Sequence, residues 1–489
     1  MSICTHCHTR RAASLVIGVF LSGCASMAPP YTTPALPVSS AYANDGAQDG
    51  ASAASIAWRD YFTDPQLQTL IELALANNRD LRTAVLRVEE AHAAYGIQRA
   101  ERFPTISAKV SKDRSLTPYD LNTTGKRLIA SDYQVGFGLS SWEIDFWGRV
   151  RSLQDAALEN YLATDSARRA ATIALVAQVA NSYFALREFD ERIVLANRTI
   201  ASRTESLRIF TRRVEVGSTS RLNLTQVQTL LTQAQALGMQ LEQERAAQSH
   251  ALTLLLGVPV DLHLEQGPMD EQQALRELRP GLPSDLLTQR PDIVAAEHQL
   301  KAANANIGAA RAAFFPRIAL TSSVGTASAE LNGLFATGSL AWIFSPSISL
   351  PIFDGGRRHN NLSLAETRRD LAVVNYEKTV QVAFRDVSDA LSARYWLIRQ
   401  VAIARTALAT QSERARLSLL RYDSGAAPYL DVLDAQRDLL STEQQLVQTR
   451  RALLSSRVSL YAALGGGAMD FVSPPAHDIS TSTQGTSAK

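Results

Sequence analysis

The chain has 489 residues, with 49 basic and 47 acidic side chains and a formal net charge of +2. So even a balance offers no basic field for nucleic acid. Hydrophobic residues at 46% and charged residues at 20% are ordinary for a folded protein, so function has to be sought in pattern.

At the start, Arg10 and Arg11 precede an apolar run from Ala12 to Leu21, and Leu21-Ser22-Gly23-Cys24 follows. A charged start, a short apolar stretch and a small-residue cleavage site predict a signal peptide over 1–23. The run is too short for a spanning helix, which takes about 20 apolar residues. Leu-Ser-Gly-Cys is similar to the lipobox of bacterial lipoproteins, which implies cleavage before Cys24 and its lipidation. By the same resemblance, Ala25 in place of an aspartate implies sorting to the outer membrane. Several acyl chains, at about 0.8 kcal/mol per buried methylene, would anchor the chain there. Cys4-Thr5-His6-Cys7-His8 fits the C-x-x-C-H pattern of haem attachment, but it precedes the apolar run and leaves with the signal, so no haem is expected. Cys24 is then the only cysteine, which excludes disulfides and cysteine-based metal sites. Residues 24–54 are rich in Ala, Pro, Ser and Gly and read as a tether.

From residue 55 the chain is written twice. Asp80-Leu81 and Phe103-Pro104 return as Asp292-Ile293 and Phe315-Pro316; Gly148-Arg149, Arg213-Val214-Glu215-Val216-Gly217 and Leu256-Gly257 return as Gly356-Arg357, Arg421-Tyr422-Asp423-Ser424-Gly425 and Leu464-Gly465. Solenoid repeats run roughly 20–50 residues, and this spacing is far longer, so the unit is a duplicated architecture over 55–265 and 266–472. The tail, 473–489, reads as disordered.

Each copy carries a short helix, two alternating segments, and then a stretch without Gly or Pro, Arg149 to Val216 and Arg357 to Ser424. At 1.5 Å per residue such a helix is about 100 Å long. In the second copy Val380, Phe384, Val387, Leu391, Tyr395 and Ile398 step by threes and fours. Beyond Gly425, Leu433, Leu440, Val447, Leu454 and Tyr461 recur every seven residues beside Leu439, Leu446, Leu453 and Leu460. Two adjacent stripes suit a helix packed between neighbours in a tube. The glycine breaks, Val216-Gly217-Ser218-Thr219 and Ser424-Gly425-Ala426-Ala427, predict that each long helix folds back into a hairpin, over about 149–256 and 357–464.

Before each long helix, side chains alternate over about 105–142 and 316–351. Ile106, Ala108 and Val110 alternate with Ser107, Lys109 and Ser111; Tyr133, Val135, Phe137 and Leu139 alternate with polar or glycine positions. Ile318, Leu320, Val324, Leu340, Trp342, Phe344, Ile348 and Leu350 keep the same period. Alternation fits either a two-sided soluble sheet or transmembrane strands with an apolar outside and a polar lumen. In an outer-membrane lipoprotein the second applies, and four strands cannot close the barrel that lipid demands, so it must be shared between chains.

Trp58, Phe62, Asp64, Leu67, Leu70, Asn78 and Asp80, together with Phe103-Pro104, Arg290-Pro291-Asp292, Phe315-Pro316, Arg421-Tyr422 with Gly425 and Asp431-Val432-Leu433-Asp434, resemble the TolC-type outer-membrane efflux proteins. The lipobox makes the chain look like the lipoprotein branch, with its OprM-like and NodT-like factors. The resemblance covers about residues 55–471. It implies an α+β membrane protein: a homotrimer with a 12-stranded barrel, four strands per chain, continued by a periplasmic helical tube. It also implies that the short helix near 80–102 stacks end to end on the returning helix near 218–256.

By the same resemblance, Asp431 and Asp434 point into a constriction at the periplasmic entrance and form, with their copies, a ring that favours cations. Tyr422 helps latch the closed tip, with Asn223 and Gln226 as its first-repeat neighbours; an arginine of the family's tip is replaced by Ala427. The glycine turns, 216–219 and 424–427, are the implied contacts with a periplasmic adaptor. The implied function is a passive exit duct, recruited by the adaptor and an inner-membrane pump of the resistance-nodulation-division type. Type I protein secretion and a poreless coiled-coil lipoprotein are the alternatives. No enzyme activity, cofactor or metal is expected: no nucleophile elbow or P-loop occurs, and His92, His250, His298 and His359 are scattered singly.

Overall fold

A computed structural model describes residues 26–35, 38–39, 53–260, 275–276, 278 and 286–468. The expected signal peptide, Cys24 and the tail 473–489 lie outside these residues. Two short helices begin the first repeat, α1 (Pro65–Asn77) and α2 (Arg79–Ala100). Strands β1 (Ile106–Thr117) and β2 (Leu128–Glu143) follow, then the helices α3 (Arg149–Glu215) and α4 (Arg221–Leu256). The second repeat supplies α5 (Pro291–Ala312), β3 (Arg317–Ser328), β4 (Leu340–Ser349), α6 (Arg357–Asp423) and α7 (Tyr429–Ala463). Two compact units divide the chain, one holding the strands and one holding most of the helical hairpins.

In the strand unit the sheet runs β1-β2-β3-β4, antiparallel throughout. Its register sorts the alternation into two faces. Val110 lies opposite Val135, Ala108 opposite Phe137, Phe137 opposite Val324, and Val324 opposite Trp342. One step along, Lys109 faces Gly136, Gly136 faces Gly325, and Ser323 faces Ile343. Because side chains alternate with period two, this register makes one face apolar and the other largely polar and small. Gly136 and Gly325 are required where β2 and β3 meet: a Cβ on Gly325 would lie 2.2 Å from the Val135 carbonyl oxygen. A bulge between Leu139 and Trp142, with Ser141 at φ 48°, returns Trp142 to the apolar face opposite Leu320.

The strand-to-helix corner is closed by charge and by rings. Arg149 donates twice to the Glu143 carboxylate, both at 2.8 Å, and Arg317 reaches it at 2.8 Å. Trp147 donates to the Pro316 carbonyl and stacks on Phe315 with centroids 4.7 Å apart. Part of the expected tether is seated in this unit rather than free. Asn304 donates to the Pro29 carbonyl at 2.8 Å, Tyr31 donates to Glu297, and a Cβ on Gly308 would strike Ala28. Burial and the Glu297 carboxylate push the Tyr31 phenol up to about 12.

In the helical unit, α4 ends where α2 begins. Asn78 joins them: its side chain donates to the Leu255 carbonyl and accepts from the Leu81 amide, capping two helix ends at once. Gly257 at φ 71° packs so tightly there that a Cβ would lie 2.3 Å from the Asn77 carbonyl oxygen. The second repeat builds the same joint with other chemistry. Arg290 donates to the carbonyls of Ala463 and Ala383 and is paired with Asp292 and Asp386, while Gly465 at φ 71° lies against Gln289.

Along α7 the seven-residue stripe is buried at every step, from Leu433 through Leu440, Val447 and Leu454 to Tyr461. The α6 stripe is buried at Val380, Val387 and Leu391 but not beyond: Tyr395 and Ile398 are exposed. The buried seam instead runs on from Val387 and Ala390 to Leu397, Val401, Ala404 and Leu408, which pack with Leu446 and Leu453. The contact keeps a seven-residue spacing, as Val380, Val387 and Val401 do, whereas the expected stripe takes two successive steps of four from Val387 to Tyr395 and so leaves the seam.

Candidate functional site at the helical hairpin tips

Both hairpins turn by the same hydrogen bonds. In the first, Gly217 at φ 72° donates to the Val214 carbonyl and Ser218 to that of Arg213; in the second, Gly425 at φ 73° donates to Tyr422 and Ala426 to Arg421. This is the Schellman ending, which needs a left-handed residue after the helix and ties off two free carbonyls. The returning helices differ at their starts. Ser220 accepts from the Asn223 amide, whereas Pro428 caps α7 without any side-chain bond. Val216, Ser218, Ser424 and Ala426 are exposed; Thr219 and Ala427 are half-buried.

The tips are bound to each other by an aromatic cluster. Phe210, Val227 and Leu433 form its buried base, with Leu224 and Tyr429 against them. The Phe210 and Tyr429 centroids lie 4.4 Å apart, those of Tyr422 and Tyr429 4.8 Å apart, and Tyr429 donates to Ser206 at 2.8 Å. Burial raises the Tyr429 phenol above its ordinary range, so it acts as a neutral donor. Arg213 donates to the Tyr422 hydroxyl and lies 5.6 Å from the ring centroids of Phe210 and Tyr422.

Within the chain the side-chain partner of Tyr422 is Arg213. Asn223 donates to Thr219 in its own turn at 3.0 Å, held there by the cap, and half-buried Gln226 lies further along α4. The long guanidinium of Arg213 reaches the phenol instead. Ala427 leaves the second tip without an arginine at that position, and the first hairpin supplies one. Sequence reading passed over Arg213 except as a repeat marker; its position just before the αL glycine and its pairing with Arg421 were the available signal.

Asp431 is exposed and Asp434 half-exposed, and both line an open groove of about 810 Å³ between α6 and α7 together with Arg414 and Arg421. Asp434 is not a bare acid. It lies 3.4 Å from Arg437, which also reaches Asp438, and Asp438 accepts from Arg414 at 2.7 Å. Arg414 holds the Asp438 carboxyl below the usual carboxylate range. Asp431 therefore carries the less compensated charge of the two. Among the described residues no cluster of acids, His and Cys could hold a metal, and no helix is long and apolar enough to cross a membrane.

A family profile described as "Outer membrane efflux protein" matches residues 70–258 and 282–466. The chain belongs to that family. It is 44% identical over 455 residues to the solvent efflux pump outer membrane protein SrpC of Pseudomonas putida, covering 92% of this chain and 96% of that protein. It is 43% identical over 462 residues to the outer membrane protein OprJ of Pseudomonas aeruginosa, covering 93% and 95%. Among solved structures, the open state of the MtrE outer membrane channel of Neisseria gonorrhoeae superimposes with a TM-score of 0.84 at 39% identity, over 91% of this chain and 99% of that one. This efflux protein thus belongs to a family of outer-membrane ducts and not of enzymes.

Proposed function

We propose that three copies of this efflux protein close one 12-stranded barrel in the outer membrane, continued by a periplasmic helical tube, as a passive exit duct. The observation that carries this is the sheet. It has one apolar face, and its outer strands β1 and β4 have no further partner strand among the described residues. Open edges are not tolerated in lipid, so β1 of one copy must pair with β4 of the next. The relatives named as outer membrane proteins of solvent and antibiotic efflux pumps support small compounds as cargo and a pump as partner; in this reading the pump is of the inner-membrane resistance-nodulation-division type and a periplasmic adaptor meets the two glycine tips. Cys24 is the proposed lipid attachment point.

Within this duct the tips form the gate. Arg213, Tyr422 and Tyr429 bind one hairpin to the other, and Asp431 and Asp434 with their copies set the charge of the mouth. Native mass measurement of detergent-extracted protein tests the assembly, with three chains each beginning at an acylated Cys24 expected. A monomer that conducts ions in a planar bilayer would overturn it.

A further inference from the structure

The most buried charged side chain among the described residues has no counter-ion. Arg203 on α3 is 3% exposed, compared with 8% for Glu188 and 9% for Arg168. Those two are compensated, Glu188 by Arg192 at 3.0 Å and Arg168 by Asp165 at 3.0 Å. Arg203 has only a carbonyl: Nη1 donates to Leu230 on α4 at 2.5 Å, and Nε has no acceptor. Buried charges are ordinarily paired, because removing an ion from water is costly unless something replaces the lost hydration.

The surroundings repeat the imbalance. Arg203 lines a cavity of about 340 Å³ between α3, α4 and α7. Arg192 and Arg437 line it too, with Ser441 and four glutamines, and no carboxylate does. Arg192 is already committed, to Glu188 at 3.0 Å and to the Gln444 side chain at 2.5 Å. Arg437 is held only loosely, by Asp434 and Asp438 at 3.4 Å each. Burial and the neighbouring Arg437 both make the Arg203 charge harder to keep than that of an ordinary guanidinium. What the cavity lacks is negative charge, and what it offers is guanidinium and amide N–H donors. A water occupies about 30 Å³, so a hydrated halide or a small oxyanion fits.

We propose that this cavity is a binding site for a small inorganic anion, chloride or an oxyanion such as phosphate, held between Arg203 of α3 and Arg437 of α7. The bound anion braces the returning helix of the second hairpin against the first hairpin. Because Arg437 is also the partner of Asp434, occupancy draws on the same arginine that compensates the mouth. That link to the mouth rests on the gate proposed above; the site itself does not.

The test is thermal unfolding of the full-length trimer in detergent, at fixed ionic strength, in sodium gluconate, chloride or phosphate. Gluconate, a weakly coordinating carboxylate, is the reference anion. Ligand bound only by the native state raises the unfolding temperature saturably, here by at least about 2 °C. Arg203→Gln and Arg203→Met should both lose this dependence and, in gluconate, unfold no lower than wild type, since each removes an uncompensated buried charge. Bromide-soaked crystals should give an anomalous peak beside Arg203, and added phosphate should displace it if the oxyanion is preferred. An anion response that is equal in wild type and variants would overturn the site. So would variants that lose the same stability in every medium, because Arg203 would then be only a tie to the Leu230 carbonyl. These readouts do not depend on conduction, so their failure leaves the duct standing, and failure of the duct leaves them standing.

Discussion

The two repeats share a backbone and differ in chemistry, and the differences fall at the joints and the tips. At the joint the first repeat uses a neutral amide, Asn78, to cap two helix ends, where the second uses Arg290 with two aspartates. At the tip the same Schellman turn leads into a serine cap in one copy and into proline followed by Asp431 in the other. Duplication therefore preserved what the backbone needs, a left-handed glycine at each bend. It left side chains free to diverge wherever backbone geometry did not constrain them.

The joints should show the largest difference. Arg290→Met takes the arginine from Asp292, leaves Asp386 with Arg385 alone, and frees the Ala463 carbonyl; both acids are about one-third exposed. We expect a loss of about 2–3 kcal/mol, below the full cost of breaking a buried pair because water reaches the acids. Asn78→Ala removes a cap and should cost about 1 kcal/mol. Urea unfolding of the trimer compares them; equal losses would show that the charged joint is merely a larger version of the neutral one.

The tips come next. Arg213 and Arg421 occupy equivalent positions, but only Arg213 reaches across to the other hairpin; Arg421 touches the carbonyl of Ala426 in its own turn at 3.5 Å. Arg213→Ala should therefore raise single-channel conductance or open probability in a planar bilayer, and Arg421→Ala should leave the tip bond intact. Similar opening by both variants would remove Arg213 from the latch.

The smallest effect on stability belongs to the aspartates. Asp431→Ala with Asp434→Ala should reduce cation selectivity and sensitivity to multivalent cations while stability stays within about 0.5 kcal/mol, as for exposed side chains. Because Arg437 partly compensates Asp434, Asp431→Ala alone should account for most of the loss. Unchanged selectivity in the double variant would make both of them ordinary surface acids and leave the gate to Tyr422 and Arg213.

Much of this was legible in one dimension. Strand alternation, uninterrupted helical stretches and paired glycine breaks are local, since a two-residue period, a missing Gly or Pro and an αL turn are each written within a few neighbouring residues. The α7 stripe was legible for the same reason, and it is buried along its whole length. The α6 stripe was legible only in part, because steps of three and four can be joined in more than one order and only the position of α7 says which order stays on the seam.

What the tertiary structure alone decided are the contacts between distant parts of the duplicated chain. Arg213 of one hairpin donates to Tyr422 of the other, Arg290 does for one repeat what Asn78 does for the other, and Arg203 is left among arginines without an acid. The first joins residues 209 positions apart. No local pattern records such pairs, because a guanidinium reaches whatever acceptor packing brings near it, and packing is settled by how whole helices lie together. The residues' own sequence determined that the chain would bend, alternate and repeat; only the folded chain determined which charges meet.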